Sequence, residues 1–327
     1  MIINQQFNQT VITSFVLLGF SLTEQSRFIL FIILVIAYIS TITANVFIII
    51  LIRAEPGLHK PMYFFIGGLS FLEIWYPSVT IPGLLQSLKT KDKYISFTNC
   101  LIQLYFHFAL GAVEMFLLTA MSYDRYVAIC NPLRYLTIMS PLICFVLMLA
   151  AWVGGFITVI GPVVKISFLS YCKENTIDHY YCDFAPIIHL SCSNPVEAEN
   201  ACLSAIIYVT VGSILLTLTS YIFITRTILK FPTALGRQKA FSTVVSHSFV
   251  VILFYGTILF MFVRKGGGDS LHFNKIVSII PSVVTPFLNP IIYTLRNQEV
   301  KQAVVKIAGR IMAYQVEKTN KALFRNI

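Results

Sequence analysis

The chain has 327 residues, 57% of them hydrophobic and only 12% charged, with a mean hydropathy of +0.78. That balance excludes an ordinary soluble domain and suits a chain solvated by lipid. The net charge of +10 does not mark a nucleic-acid module, because the basic residues are scattered between apolar runs, and seven cysteines without a CxxC pair exclude a zinc site or a dense disulfide scaffold.

A helix needs about 20 residues to cross a hydrocarbon layer of about 30 Å. Residues 1–26 precede the first stretch of that length and carry the sequon Asn8-Gln9-Thr10, which makes Asn8 a glycosylation acceptor on an outer segment. They show no basic region followed by a short apolar core and a small-residue cleavage site, so the first span is expected to serve as the targeting signal.

The first span runs from Phe28 to Ile52 between Arg27 and Arg53, and the second, Pro61 to Leu88, contains Glu73. The third, about Phe97 to Ile129, contains Glu114, and the fourth lies between Pro141 and Val164. A long outer loop of about 165–200 separates it from the fifth, about Ala201 to Thr225. The sixth covers Ala240 to Val263 and the seventh Ile276 to Leu295. Open strands would leave backbone groups unpaired in lipid, and the runs lack the alternation of an outer-membrane barrel, so the predicted fold is an all-α seven-transmembrane bundle over 27–296. Pro77, Pro82, Pro162, Pro286 and Pro290 predict kinks.

Charge sets the direction. With the N-terminus outside, Arg53, Lys60, Arg125, Arg134, Arg226, Lys230, Arg237, Lys239 and the basic residues of the segment 297–327 fall on the inner side, well over half of the 24 Lys and Arg. The outer segments pair their basic residues with Glu24, Asp92, Glu174, Asp178, Asp183, Glu197, Glu199 and Asp269. Beyond the seventh span, Val300, Val304, Ile307 and Ile311 recur at helical spacing opposite Lys301, Lys306 and Arg310, which predicts a short amphipathic helix on the inner leaflet.

Several strings carry more than hydropathy. Cys100 and Arg125 stand ~37 Å apart along one helix, enough to place one at each surface. Met121-Ser-Tyr-Asp-Arg-Tyr-Val-Ala-Ile-Cys130 sets Asp124 beside Arg125, an acid that offsets the cost of burying a guanidinium at a helix end. Leu58-His-Lys-Pro-Met-Tyr-Phe-Phe65 opens the second span and Lys239-Ala-Phe-Ser-Thr-Val-Val-Ser-His247 the sixth. Pro286-Phe-Leu-Asn-Pro-Ile-Ile-Tyr-Thr-Leu-Arg-Asn297 closes the seventh.

Through these strings the chain resembles, from about Phe15 to Arg310, the olfactory receptors of the rhodopsin-like G-protein-coupled family. The resemblance implies an inner switch of Asp124, Arg125 and Tyr126 with Tyr221, His247 and the element Asn289-Pro290-Ile-Ile-Tyr293. Arg237 stands where many other receptors carry an acid, so the resting lock is expected to rely on Asp124 and on hydrogen bonds through His247 and Tyr293. The resemblance also pairs Cys100 with Cys182 and Cys172 with Cys192, leaving Cys130, Cys144 and Cys202 as free thiols.

The matching ligand positions are His107, Phe108, Gly111 and Ala112 on the third span, and Ile206, Val209 and Thr210 on the fifth. Tyr255, Ile258, Leu259 and Phe262 follow on the sixth, with Ser278 and Ser282 on the seventh. Such a lining suits a small, mostly apolar volatile, an aldehyde, alcohol, ketone or ester, selected by one or two hydrogen bonds. Arg264 and Lys265 are the nearest basic residues, at the outer end of the sixth span. Glu73 and Glu114 are the carboxylates deep in the spans, where they either hold a sodium ion with Asn45 and Asn289 or share a proton. Glu73 departs from the aspartate usual in the family.

The implied partners are an odorant and a stimulatory heterotrimeric G protein, at the plasma membrane of sensory cilia. An enzyme is not expected, because no nucleophile, base and orienting residue fall at a plausible spacing, and His179 and His189 lack metal-ligand periodicity. A transporter would show paired half-repeats or broken helices at matching positions. A receptor for amines or peptides is the nearer rival, but His107 stands where amine receptors carry an aspartate.

Overall fold

A computed structural model describes residues 13–90, 93–172, 175–263, 269–296, 298–307, 309, 310 and 312. Asn8, Arg264, Lys265 and Ile311 lie outside them, as does the side chain of Phe262.

Six long helices come first: α1 Glu24–Ala54, α2 Pro61–Thr90, α3 Phe97–Cys130, α4 Pro141–Ser167, α5 Val196–Leu229 and α6 Ala234–Val263. The seventh, α7, is composite: Asp269–Val277 runs into a π-helical turn, Ile280–Val284, and then into Thr285–Arg296. Pro281 and Pro286 lack the N–H that the regular ladder would use there, which accounts for a wide turn at this point. A further helix, α8, covers 298–307. Short side chains start the helices: Thr23 accepts from Ser26 N at 3.3 Å, Ser96 from Asn99 N at 3.2 Å and Ser140 from Ile143 N at 3.4 Å.

Six segments are long and apolar enough to cross a membrane by length and composition, α1 to α5 and Phe273–Thr294 of α7; α6 contributes the apolar stretch His247–Met261. Helices α1, α4 and α5 turn Phe28, Ile36, Phe145, Ile157, Leu215 and Leu216 outward, an apolar skin that water would not tolerate and lipid chains match. The polar and small residues point inward instead, among them Asn45, Glu73, Glu114, Ser122 and Asn289.

Helix α3 is the axis, packed against α2, α4, α5 and α6. Its approach to α4 is set by Gly155, where a Cβ would stand 2.8 Å from Val113 N and 3.0 Å from Ala109 O; backbone cannot yield as a side chain would.

The all-α expectation is corrected at the outer end, where β1 (Ser14–Leu17) pairs antiparallel with β2 (Tyr94–Ser96) and parallel with β3 (Thr176–Ile177). Phe15 drives this, packing edge-on against Tyr171 and beside Phe97 with none of its surface exposed. Three loops far apart in sequence thereby form one cover.

Candidate functional site

Two disulfides build the outer cover. Cys100 at the top of α3 is bonded to Cys182, with Cα atoms 5.5 Å apart, and Cys172 to Cys192 at 5.9 Å. Gln103 reinforces the first, accepting from Cys182 N at 3.0 Å and donating to Val79 O at 3.0 Å. Lys275 at the start of α7 is 1% exposed, its ammonium held by Asp178 at 2.6 Å and by Gly19 O at 2.8 Å, with the Phe20 ring 5.8 Å away. Gly19 has φ +61, which a side chain would strain. Cys130, Cys144 and Cys202 form no disulfide, the first standing beside Thr227 Oγ1 at 3.1 Å.

Under this cover lies a cavity of about 220 Å³. Nine expected positions line it: His107, Phe108, Gly111 and Ala112 from α3, Ile206, Val209 and Thr210 from α5, Ile258 from α6 and Ser278 from α7. Three expected positions do not. Tyr255 sits one layer inward, donating to Met115 O at 2.9 Å and paired with Thr119 Oγ1 at 3.1 Å. Leu259 points outward at 42% exposure, and Ser282 turns back onto Ser278 O at 2.8 Å.

Residues not among the expected ligand positions complete the wall: Tyr76 from α2, Thr158, Val159 and Pro162 from α4, and His179, Tyr181, Asp183, Phe184 and Ala185 from the outer loop. Met115, Ala205, Phe254, Met261, Asn274 and Pro281 add to α3, α5, α6 and α7. The signal for the loop residues was Cys182, because a bond to Cys100 holds its neighbours over α3. Phe108 and Phe184 stack with centroids 4.0 Å apart, joining loop and helix.

His179 is 2% exposed, and burial, with help from the positive charge of Lys275, pushes its imidazole down to about 3. Between that value and the ordinary ~6.5 the unfolded chain binds the extra proton, so stability rises with pH across this window. The contribution is complete above ~6.5 and is lost as pH falls towards 3. Purified receptor is therefore expected to melt at a lower temperature at pH 5 than at pH 7, with a smaller difference in His179→Gln; equal pH dependence in both would contradict it.

At the inner end Asp124 is 1% and Arg125 8% exposed. Arg125 Nε donates to Asp124 Oδ2 at 3.0 Å, its NH2 group donates to the same oxygen, and Tyr135 of the short helix Tyr135–Ile138 donates to Asp124 Oδ1 at 2.7 Å. Tyr135 was not among the expected residues. Tyr126 packs beside Tyr123 and Phe223, and Arg237 is exposed on α6. Tyr221 and His247 share a hydrogen bond of 2.6 Å from Oη to Nδ1, joining α5 to α6. Tyr293 is 4% exposed and its hydroxyl makes no hydrogen bond. At this end, then, Asp124 is bonded by Arg125 and Tyr135, while His247 is bonded to Tyr221 and not to Arg125.

Midway, Asn289 Nδ2 donates to Glu73 Oε1, and Asn45 Nδ2 donates to Thr41 O at 3.0 Å and to Pro286 O of α7 at 3.4 Å, close to Pro290 in sequence. Both oxygens of Glu114, with Asn45 Oδ1 and Asn289 Oδ1, are buried without hydrogen bonds, and Glu73 lies within electrostatic reach of Glu114. Among the described residues no group of three or more His, Cys, Asp or Glu is set for a metal ion. Carboxylate and amide oxygens are the donor type that a hard cation takes.

Helix α8 is clasped to the loop between α1 and α2: Lys306 bonds Glu55 at 2.6 Å, and Glu299 takes Lys60 at 2.8 Å and the Tyr63 hydroxyl at 3.0 Å. The hydrogen bond from Lys306 holds the Glu55 carboxyl below its usual range.

Comparison with known proteins adds a family. A family model described as "Olfactory receptor" matches residues 34–310. Olfactory receptor 6B1 of Homo sapiens is 48% identical, over 92% of this chain and 96% of its own length. Olfactory receptor 6F1 of Homo sapiens is 46% identical over 91% and 97%, and Olfactory receptor 226 of Rattus norvegicus 45% over 90% and 91%. The crystal structure of squid rhodopsin superposes with a TM-score of 0.68 over 91% of each chain at 17% identity, a likeness of fold.

Proposed function

The chain belongs to the olfactory receptor family of rhodopsin-like G-protein-coupled receptors, and from that premise we propose that it binds a small, mostly apolar volatile in the cavity beneath the outer cover and activates a stimulatory heterotrimeric G protein. Membership makes it a multi-pass membrane receptor rather than an enzyme. The N-terminus lies outside in this reading, Asn8 is glycosylated, and the receptor serves at the plasma membrane of olfactory cilia. The observation that carries the proposal is the cavity itself, lined by a mostly apolar wall from six helices and the disulfide-held loop.

The route inward runs through Met115. Its side chain faces the cavity and its carbonyl holds Tyr255, whose ring neighbours Phe254 on the cavity wall. A ligand that binds better when this contact is rearranged shifts the population towards an outward movement of the inner end of α6, away from Arg125. Glu73 and Glu114, with Asn45 and Asn289, would hold a sodium ion that favours the resting packing of α2, α3 and α7. A proton shared by the two acids is the other reading of the same buried oxygens.

The experiment is a panel of volatiles applied to cells expressing the receptor, with cAMP as readout. We expect neutral molecules to raise cAMP, and agonist potency to rise when sodium is replaced by choline in permeabilised membranes. A surface-expressed receptor that answers no volatile contradicts the receptor reading; potency indifferent to sodium favours the shared proton.

A further inference from the structure

The wall of the cavity is mostly apolar, and three of its lining residues carry a buried polar atom that makes no hydrogen bond: His179 Nε2, His107 Nδ1 and Asn274 Oδ1. His179 and His107 are 2% and 4% exposed, so neither is satisfied by bulk water. Their rings flank Tyr181, with centroids 4.1 Å and 4.2 Å from it. Asn274 lines the same cavity one residue before Lys275, whose ion pair with Asp178 ties this part of α7 to the loop that carries His179.

The tautomer of His179 follows from its neighbour. Tyr181 N donates to His179 Nδ1 at 3.4 Å, so Nδ1 accepts and the proton of the neutral ring sits on Nε2. Nε2–H is therefore a buried donor without an acceptor, while Asn274 Oδ1 is an acceptor without a donor. Leaving either one unpaired in an occupied, dry cavity costs more than a made bond returns.

We propose that the cavity selects neutral hydroxyl compounds, alcohols or phenols, whose oxygen accepts from His179 Nε2 and whose proton is donated to Asn274 Oδ1. This rests on the receptor reading above and narrows it. A hydroxyl is the compact group that both accepts and donates; a ketone, aldehyde, ester or ether answers His179 and leaves Asn274 unpaired. A carboxylate brings a charge to a cavity that offers it no free cation among the described residues, since Lys275 is already committed to Asp178 and Gly19 O. The hydrocarbon body lies among Phe108, Phe184, Val209 and Ile258. A cavity of about 150 Å³ holds benzene, so 220 Å³ suits a ring with a short arm or a medium aliphatic chain.

The test uses the full receptor in cells, with cAMP as readout and surface level measured. The probes are alcohols and phenols of about seven to ten carbons, each beside its methyl ether and parent hydrocarbon. Among the activating skeletons the free hydroxyl is expected to be about tenfold or more potent than its ether, the scale of one buried hydrogen bond. His179→Phe should bring the alcohol down to its ether, and Asn274→Leu should do the same from α7. His179→Gln, which offers an amide N–H near the place of Nε2, should keep the preference. The alcohol-to-ether ratio is read within each variant, so a change in surface level cancels. Ethers or hydrocarbons that match the alcohols, or a ratio unmoved by both His179→Phe and Asn274→Leu, overturn the proposal while the volatile-receptor reading stands. A receptor at the surface that answers neither this panel nor a broad one overturns both.

Discussion

Arg125→Ala is expected to reach the cell surface and to lose odorant-evoked cAMP altogether. The guanidinium is the cation at the inner end of α3, 8% exposed and bonded to Asp124. Removing it leaves a buried carboxylate, a change that in a dry site costs about 3–5 kcal/mol. Here Tyr135 still donates to Asp124 at 2.7 Å, so the fold retains a partner for the acid. What is lost is the group that would turn towards an incoming G protein when α6 moves. Surface staining and cAMP in the same cells measure it. Full signalling by the variant would sink the proposed switch.

The second large effect concerns the cover. Removing the Cys100–Cys182 bond by Cys100→Ser is expected to cost about 2–4 kcal/mol of stability and to abolish the response. Removing Cys172–Cys192 should cost less, because the loops closed differ in length: the first bond spans 82 residues and the second 20. The consequences for function differ for a second reason. Cys182 stands between Tyr181 and Phe184, both on the cavity wall, so releasing it from α3 removes the roof of the site. Thermal unfolding of purified receptor without reductant gives the order, and equal melting temperatures for the two variants would contradict it.

Hydropathy made most of the bundle legible, because lipid imposes on the outward faces of α1, α4 and α5 the apolar residues that a sliding reading detects. It reads lipid contact rather than helix, which is why α6 starts at Ala234 and not at Ala240: its first turns carry Arg237, Gln238 and Lys239 and stand outside the apolar stretch. The outer sheet was beyond such a reading. Strands of four, three and two residues carry almost no alternation, and they pair only because Phe15 is drawn into a core formed with Tyr171 and Phe97.

The site divides in the same way. Positions on α3 and α5 were legible because likeness to a family fixes the face of a straight helix. Tyr255 and Ser282 lie off the cavity lining, since their hydroxyls are drawn to carbonyls, Met115 O and Ser278 O, that no string of residues reveals. Tyr135 and Lys275 were missed because each becomes important only through a partner far away in sequence or hidden by burial, Asp124 in one case and Asp178 with Gly19 in the other.

The central claim, that the cavity under the cover is where the ligand acts, meets its most direct test in a pair of phenylalanine substitutions. Ala205 lines the cavity from α5, whereas Leu259 was an expected lining residue that points outward at 42% exposure. For any volatile that activates the receptor, concentration–response curves are predicted to shift by about tenfold or more for Ala205→Phe, whose ring fills ligand space. Leu259→Phe, facing lipid, should leave the curve in place. An unchanged curve for Ala205→Phe at normal surface level, with a shift for Leu259→Phe, would contradict the account.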